Sequence, residues 1–393
     1  MIRSTRSSNR IQRAWFSLSA AAKQPQRALL FPGQGTQQPG MLKAYYDKYP
    51  RIIKPVLEEL DEALKLRLSS VLLDPNFVDL GAGTSQLDIH TTSNAQPAIL
   101  ACSYAVLEVL RELSGQRQHH DLVNNTFKFT LGHSLGEYTA LTTAGVIEFY
   151  SVLQLVRARG LAMEKSKQVF LESLGLANEL ELGMYTMVLS GVKQDVLDKH
   201  AVASASDLVV KLLSSEINKD ALHPLAKYLQ LALINSKNLV VFSGPKAAFD
   251  KVAAELKTKL EVRRAVKVIP LKVSAPFHSP VMAYAQEQVE EYLESQIKLN
   301  KLKLNWPVAT NIIANATAMP FTNLDSVKHS LIHSCTESVY WANSVNYAVT
   351  NGVTELVNFG PGNIGDNTKR DMDSSVTTTY LEPDTLGTFV AAL

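Results

Sequence analysis

Six consecutive residues, Gly132-His133-Ser134-Leu135-Gly136-Glu137, carry the strongest chemical signal in the chain. Before them Phe127, Phe129 and Leu131 alternate with polar residues, which predicts a strand, and a helix is expected from about Gly136 to Ala144. Gly-x-Ser-x-Gly in a strand-turn-helix frame is a nucleophile elbow. Glycines on both sides of the serine permit a strained turn. That turn lifts the hydroxyl to a helix amino terminus, where backbone N–H groups and the helix dipole favour a developing oxyanion. The plainer alternative is an ordinary helix-capping serine. Glu137 in the first turn is favourable by charge alone and is assigned no chemistry.

A serine nucleophile needs a base, and at neutral pH that base is a histidine. Of nine histidines, His119 and His120 sit in a polar loop, and His329 and His333 lie on a helix-like stretch. His278 stands in Ser274-Ala275-Pro276-Phe277-His278-Ser279-Pro280, a loop that flanking prolines make rigid. Gly33-Gln34-Gly35-Thr36-Gln37, after the first expected strand, offers backbone N–H groups beside small residues. Such a loop can cradle a phosphate, supply half an oxyanion hole or be a simple strand exit. Arg159 is the most informative single residue. It falls on the helix face shared by Phe149, Val152, Val156 and Met163, where the core wants an apolar side chain. A buried guanidinium requires an anionic partner, either an internal Asp or Glu or a ligand carboxylate held bidentately.

The elements that must position these groups alternate between strand and helix. Strands are expected at Ala28 to Phe31 and from Phe127 into Gly132. Helices are expected at about Pro50 to Leu66, Pro97 to Leu113 and Phe149 to Lys165. This rhythm predicts an α/β fold, a hydrolase-like large subdomain with a mainly parallel sheet. The middle of the chain differs. A strand at Met184 to Leu189, a helix from Gln194, a hairpin over 229–242, a helix opened by Pro245 and a strand at Ala265 to Val273 give β-α-β-β-α-β, the ferredoxin-like order. The expected division is a small subdomain at 183–273 inserted between 27–182 and 274–393. Residues 203–228 read as an extra insertion.

Composition narrows the function classes. The chain has 393 residues, 46% hydrophobic and 19% charged, with no apolar run of the roughly 18 residues that a membrane span requires. Cys102 and Cys335 are too few for a disulfide framework, and neither HExxH nor a paired His/Cys spacing signals a metal site. The absence of GxxxxGK[ST] excludes a nucleotide P-loop. Residues 1–26 hold Arg3, Arg6, Arg10, Arg13 and Lys23 among several serines, and the first acidic residue is Asp47. That composition is expected of a mitochondrial or plastid transit peptide. Without those five cations the formal net charge falls from +2 to −3, which argues against nucleic acid as a partner.

Together these residues resemble the malonyl-CoA:acyl carrier protein transacylases, over nearly everything from Ala28 to Leu393. The matching stretches are 31–37, 92–98, the elbow, Val156 to Gly160, Pro276 to Met282 and Phe359-Gly360-Pro361-Gly362. The resemblance implies transfer of a malonyl group from malonyl-CoA to the phosphopantetheine thiol of an acyl carrier protein, in support of fatty acid synthesis and with no cofactor. It implies Ser134 as nucleophile and His278 as its base. Gln34 and Leu135 would be oxyanion donors, Arg159 the holder of the malonyl carboxylate, Asn235 a residue at the mouth, and Phe277 a selectivity cue. With the leader, the chain looks like the mitochondrial form, placed in the matrix. One departure stands at Tyr340-Trp341. Bacterial relatives carry Gln before the tryptophan, and there a backbone carbonyl orients the histidine. Another is the stretch 165–182, which looks like an insertion. Two other readings stay open from sequence. One is a serine esterase or lipase, with an acid such as Asp195 or Asp250 between serine and histidine. The other is a non-catalytic module that binds carrier protein.

Overall fold

The structure, a computed structural model, describes residues 25–77, 87–176, 180–261, 266–369 and 375–393. The basic leader, apart from its last two positions, lies outside them, as do Arg263, Arg264 and Arg370.

The chain enters through β1 (Arg27–Phe31), whose five residues are all buried. Two long helices follow among shorter ones, α1 (Pro50–Leu64) and α2 (Thr92–Leu113). Proline at the first helical position predicts a start at Pro97, but α2 begins five residues earlier and carries Pro97 inside it. A proline there forfeits one helical hydrogen bond, and the packing of a helix buried from Thr92 through Leu107 overrides that cost. Then come β2 (Phe127–Gly132), α3 (Leu135–Thr143) and α4 (Phe149–Ser173). The last runs well past Lys165 and absorbs the first half of the expected 165–182 insertion.

The second sheet starts with β3 (Leu182–Val188). The crossover that follows holds α5 (Gln194–Lys199) and α6 (Ala205–Ser215), so part of the 203–228 stretch is a helix. The hairpin β4 (Gln230–Ser236) and β5 (Leu239–Pro245) leads to α7 (Lys246–Lys259), with Pro245 as its N-cap rather than its first residue. The strand expected over Ala265 to Val273 is only β6 (Lys267–Pro270). After it come α8 (Ala283–Lys298), β7 (Asn311–Ile313), α9 (Leu324–His333), α10 (Trp341–Thr350), β8 (Glu355–Asn358) and β9 (Thr377–Tyr380).

β7-β2-β1-β8-β9 form a wholly parallel sheet. β4-β5-β3-β6 form an antiparallel one, in the strand order of a ferredoxin-like unit. The pleat sorts side chains along β5. Val240 and Phe242 face the core shared with α6 and α7, and Val241 between them faces the large core. Both faces of the small sheet are therefore packed, one against its own helices and one against the large subdomain.

The parallel register fixes where chemistry can occur. Phe31 lies opposite Gly132, so the loop after β1 and the elbow after β2 leave the sheet side by side at its carboxyl end. Ligands of open α/β sheets bind at that end.

Candidate active site

The elbow is as tight as its glycines suggest. A Cβ on Gly132 would stand 1.9 Å from the Gly136 backbone, and one on Gly136 would stand 2.4 Å from the Phe31 carbonyl oxygen. Ser134 sits between them at φ 52° and ψ −109°, outside the conformations that side chains favour. It is the N-cap residue of α3, and its hydroxyl makes no capping bond to the helix.

His278 closes the dyad. Its Nδ1–H donates to the main-chain carbonyl of Glu337 at 2.9 Å, which leaves Nε2 to accept the Ser134 hydroxyl at 2.7 Å. A carbonyl cannot donate, so the tautomer follows from the partner. The resemblance points to Tyr340 for this acceptor; the structure puts it three residues earlier, on Glu337. Burial, then the charge of Arg159, push the His278 imidazole down to about 3, against the opposing pull of the Glu337 carbonyl. The ring is neutral and able to take a proton. Asp195 and Asp250, the acids of the esterase reading, are exposed on the small subdomain, where Asp250 pairs with Lys246.

Arg159 is 1% exposed, and no carboxylate pairs with it among the described residues. Nη1 donates to Gln96 Oε1 at 2.9 Å, Nη2 approaches the Ser334 carbonyl at 3.5 Å, and Nε has no partner. The Tyr138 ring lies 5.2 Å beneath. Close packing of α4 on α2 brings Gln96 within reach: a Cβ on Gly160 would meet Ser93 Cα at 2.5 Å. Of the two partners left open by the sequence, the acid is absent among the described residues: no Asp or Glu pairs with Arg159, and Glu137 acts on it only as a nearby charge. A pocket of about 240 Å³ joins Arg159 to Ser134, His278, Gln34, Leu135 and Phe277.

Gln34 and Leu135 flank that pocket. Leu135 is the first residue of α3, so its N–H has no acceptor within the helix. Gln34 is steadied by its side chain, which donates to Thr92 Oγ1 at 3.3 Å. Phe277 is buried in the wall. Asn235 stands apart from the serine, in an adjoining pocket of about 420 Å³ that shares Gln34 and His133 with the first. There its Oδ1 accepts from His133 Nε2 at 2.9 Å, and burial holds the His133 imidazole below its ordinary value and therefore neutral.

Sequence reasoning missed the group that holds the elbow. The Ser134 N–H donates to Asn315 Oδ1 at 2.8 Å. Asn315 Nδ2 donates to the Gly132 carbonyl at 2.6 Å and to Glu137 Oε2 at 2.5 Å, and its own N–H reaches the same oxygen at 2.6 Å. The other carboxylate oxygen of Glu137 accepts from Ser330. Burial raises the Glu137 carboxyl above the usual range, and the hydrogen bonds from Ser330 and Asn315 oppose that. One signal was available: Glu137 is the lone charged residue of Leu135–Thr143, and the burial of that whole helix shows why its carboxylate needs partners.

Comparison with known proteins agrees with this geometry. The Acyl transferase domain family matches residues 28–184. The malonyl CoA-acyl carrier protein transacylase of Bacillus subtilis is 32% identical over 338 residues, which cover 86% of this chain and 87% of that protein. Its namesake from Staphylococcus aureus (strain MRSA252) is 29% identical over 338 residues, covering 86% and 89%. The crystal structure of an acyl carrier protein S-malonyltransferase from Vibrio cholerae superposes with a TM-score of 0.69 at 26% identity, over 91% of this chain and 97% of that one. With 32% identity spread across 86% of its length, the chain belongs to the malonyl CoA-acyl carrier protein transacylase family.

Proposed function

We propose that this acyltransferase moves a malonyl group from malonyl-CoA, through an ester on Ser134, to the phosphopantetheine thiol of an acyl carrier protein. The observation that carries the reading is the pairing in one pocket of a serine-histidine dyad with a buried arginine that has no acidic partner among the described residues. A neutral acyl group would give such a guanidinium nothing to bind. A carboxylate two bonds from the reacting carbonyl would.

In this mechanism Ser134 Oγ attacks the thioester carbonyl as His278 Nε2 takes its proton. The Ser134 N–H is already given to Asn315, so the negative oxygen falls to the N–H groups of Leu135 and Gln34. Collapse breaks the carbon-sulfur bond, and the thiolate of coenzyme A leaves with the histidine proton. The carrier thiol then gives its proton to His278, attacks the ester and releases Ser134. A hydrolase would admit water at that last step.

The carrier would meet a local basic surface, since the chain without residues 1–26 is formally −3. Its candidates are Lys369-Arg370 and the Arg263-Arg264-Lys267-Lys272 stretch; of these Lys267 and Lys272 are exposed, and Lys272 lines the Ser134 pocket. The arginine-rich, acid-free leader supports delivery to the mitochondrial matrix. The central test is incubation with malonyl-CoA followed by intact mass measurement. A lasting malonyl adduct is the expected result; rapid release of free malonate, or no reaction, would overturn the proposal.

A further inference from the structure

The other face of α9 carries a side-chain group that the transfer reaction does not use. His329 and His333 lie four residues apart on this helix, so their side chains rise on one face. The helical path continues beyond its last residue: the N–H groups of Thr336 and Glu337 both reach the His333 carbonyl at 2.9 Å. This places Glu337 a further four residues along, beside the two rings. One ligand atom from each of the three lies within 4.8 Å of the others. His329 Nε2 and Glu337 Oε1 are 2.8 Å apart, and the imidazoles stack with centroids 4.1 Å apart. The sequence shows neither HExxH nor a paired His/Cys spacing, and His329 and His333 read there only as part of a helix-like stretch. Here the carboxylate comes from the turn after the helix.

A second observation points the same way. Glu337 Oε2, the carboxylate oxygen not engaged by His329, is shut off from solvent and has no hydrogen-bond partner among the described residues. An orphaned carboxylate oxygen is costly, and a cation would satisfy it. Two imidazole nitrogens and one carboxylate oxygen form a donor set that suits zinc and its neighbours among the divalent transition ions, with one position left for water. Magnesium and calcium, which prefer all-oxygen shells, suit it poorly.

We propose that His329, His333 and Glu337 form a binding site for a divalent transition-metal ion of the zinc class. The site is linked to the dyad through a single residue. The side chain of Glu337 faces the ion, and its main-chain carbonyl holds His278 Nδ1 at 2.9 Å. The two residues after it are fixed to the small sheet. Val339 exchanges backbone hydrogen bonds with Ala232 and Ile234 at 2.8 and 2.9 Å, and Ser338 Oγ donates to the Leu231 carbonyl at 2.7 Å. An ion that draws the Glu337 side chain towards the histidines therefore acts on a segment with little slack, and moves the acceptor of the catalytic histidine. This link rests on the dyad reading; the binding does not.

The test uses the untagged full chain after treatment with a chelator. Calorimetric titration with zinc chloride should show one ion per chain, and cobalt(II) should give the visible absorption of a low-coordinate nitrogen-oxygen site. Both signals should vanish in the double variant His329→Ala/His333→Ala, which leaves the Glu337 carbonyl and the Ser134 pocket in place. Equal binding of zinc by wild type and double variant, or no binding by either, would overturn the site. Formation of the malonyl-enzyme, followed with and without zinc, tests the link separately. A rate that zinc changes at least twofold in the wild type and leaves alone in the double variant supports it. A wild-type rate indifferent to bound zinc overturns the link.

Discussion

Arg159 donates to the neutral amide of Gln96 at 2.9 Å, where a carboxylate would ordinarily be found. This makes its removal diagnostic. Arg159→Ala should lower kcat/KM for malonyl-CoA by about two orders of magnitude or more, and preserve or improve acetyl transfer, because acetyl-CoA has no carboxylate to leave unpaired. Measuring both substrates beside the melting temperature separates this from a structural role. A destabilised variant with an unchanged substrate ratio would end the carboxylate assignment.

Ser134→Ala should form no acyl-enzyme and keep its fold, since the hydroxyl contributes little to packing. His278→Ala should slow acylation by about 10²- to 10⁴-fold, the usual worth of a positioned base. Near-normal acylation in the histidine variant would remove the dyad.

Asn315 gives a prediction that the sequence could not. Asn315→Ala takes away the acceptor of the Ser134 N–H, one donor to the buried Glu137 carboxylate and the donor to the Gly132 carbonyl, while its backbone N–H stays on Glu137. The expected result is a destabilisation of about 1–3 kcal/mol, with slower acylation. Glu137→Gln should be mild by comparison, because an amide can accept from Asn315 and turn its own N–H₂ to Ser330. If both variants behave alike in denaturant and in acylation rate, the network does not position the elbow.

The depressed His278 value fixes the sign of the pH dependence. Its folded value, about 3, lies below the ordinary histidine value near 6.5, so the base stays unprotonated through the neutral range. Acylation should be flat from pH 8 to about pH 5.5; a fall with a midpoint near 6.5 would contradict the geometry. Arg159 is the second cause of the shift, and a bound malonyl carboxylate neutralises it. The histidine should therefore titrate higher in the malonyl complex, and in Arg159→Ala, than in free enzyme. For stability the unfolded chain takes up the proton first, so this residue costs nothing above about pH 6.5 and weakens the fold as pH drops from there towards 3.

Removing residues 1–24 should leave activity in vitro intact and keep the protein in the cytosol. The cut stops short of Gln26 because its carbonyl accepts the N–H of Thr354 at 2.8 Å beside β1. Fractionation of cells expressing the shortened chain checks this; entry into mitochondria without the leader would show that it has been misread.

Much of this was legible because its causes are local. Gly132, Ser134 and Gly136 announce an elbow by type and spacing, and the out-of-place Arg159 follows from helical periodicity. The rest depends on approach through space. Asn315 comes from a loop 181 residues beyond Ser134, with nothing in its neighbours to mark it. The carbonyl that orients His278 could come from any residue, because side-chain identity does not enter. Pro97 misled about the start of α2 because tertiary burial outweighed a local preference.

Ser134 and His278 share one further property. Both are non-glycine residues at positive φ, 52° and 55°, two of only seven among the described residues. Backbone held there costs about 1–3 kcal/mol at each position. Selection for thermal robustness alone would therefore erode the pair, and glycine at either position would be the easiest route to a sturdier, inert protein. A screen of heat-tolerant variants needs an activity filter at these two positions above all others, for stability and turnover pull in opposite directions there.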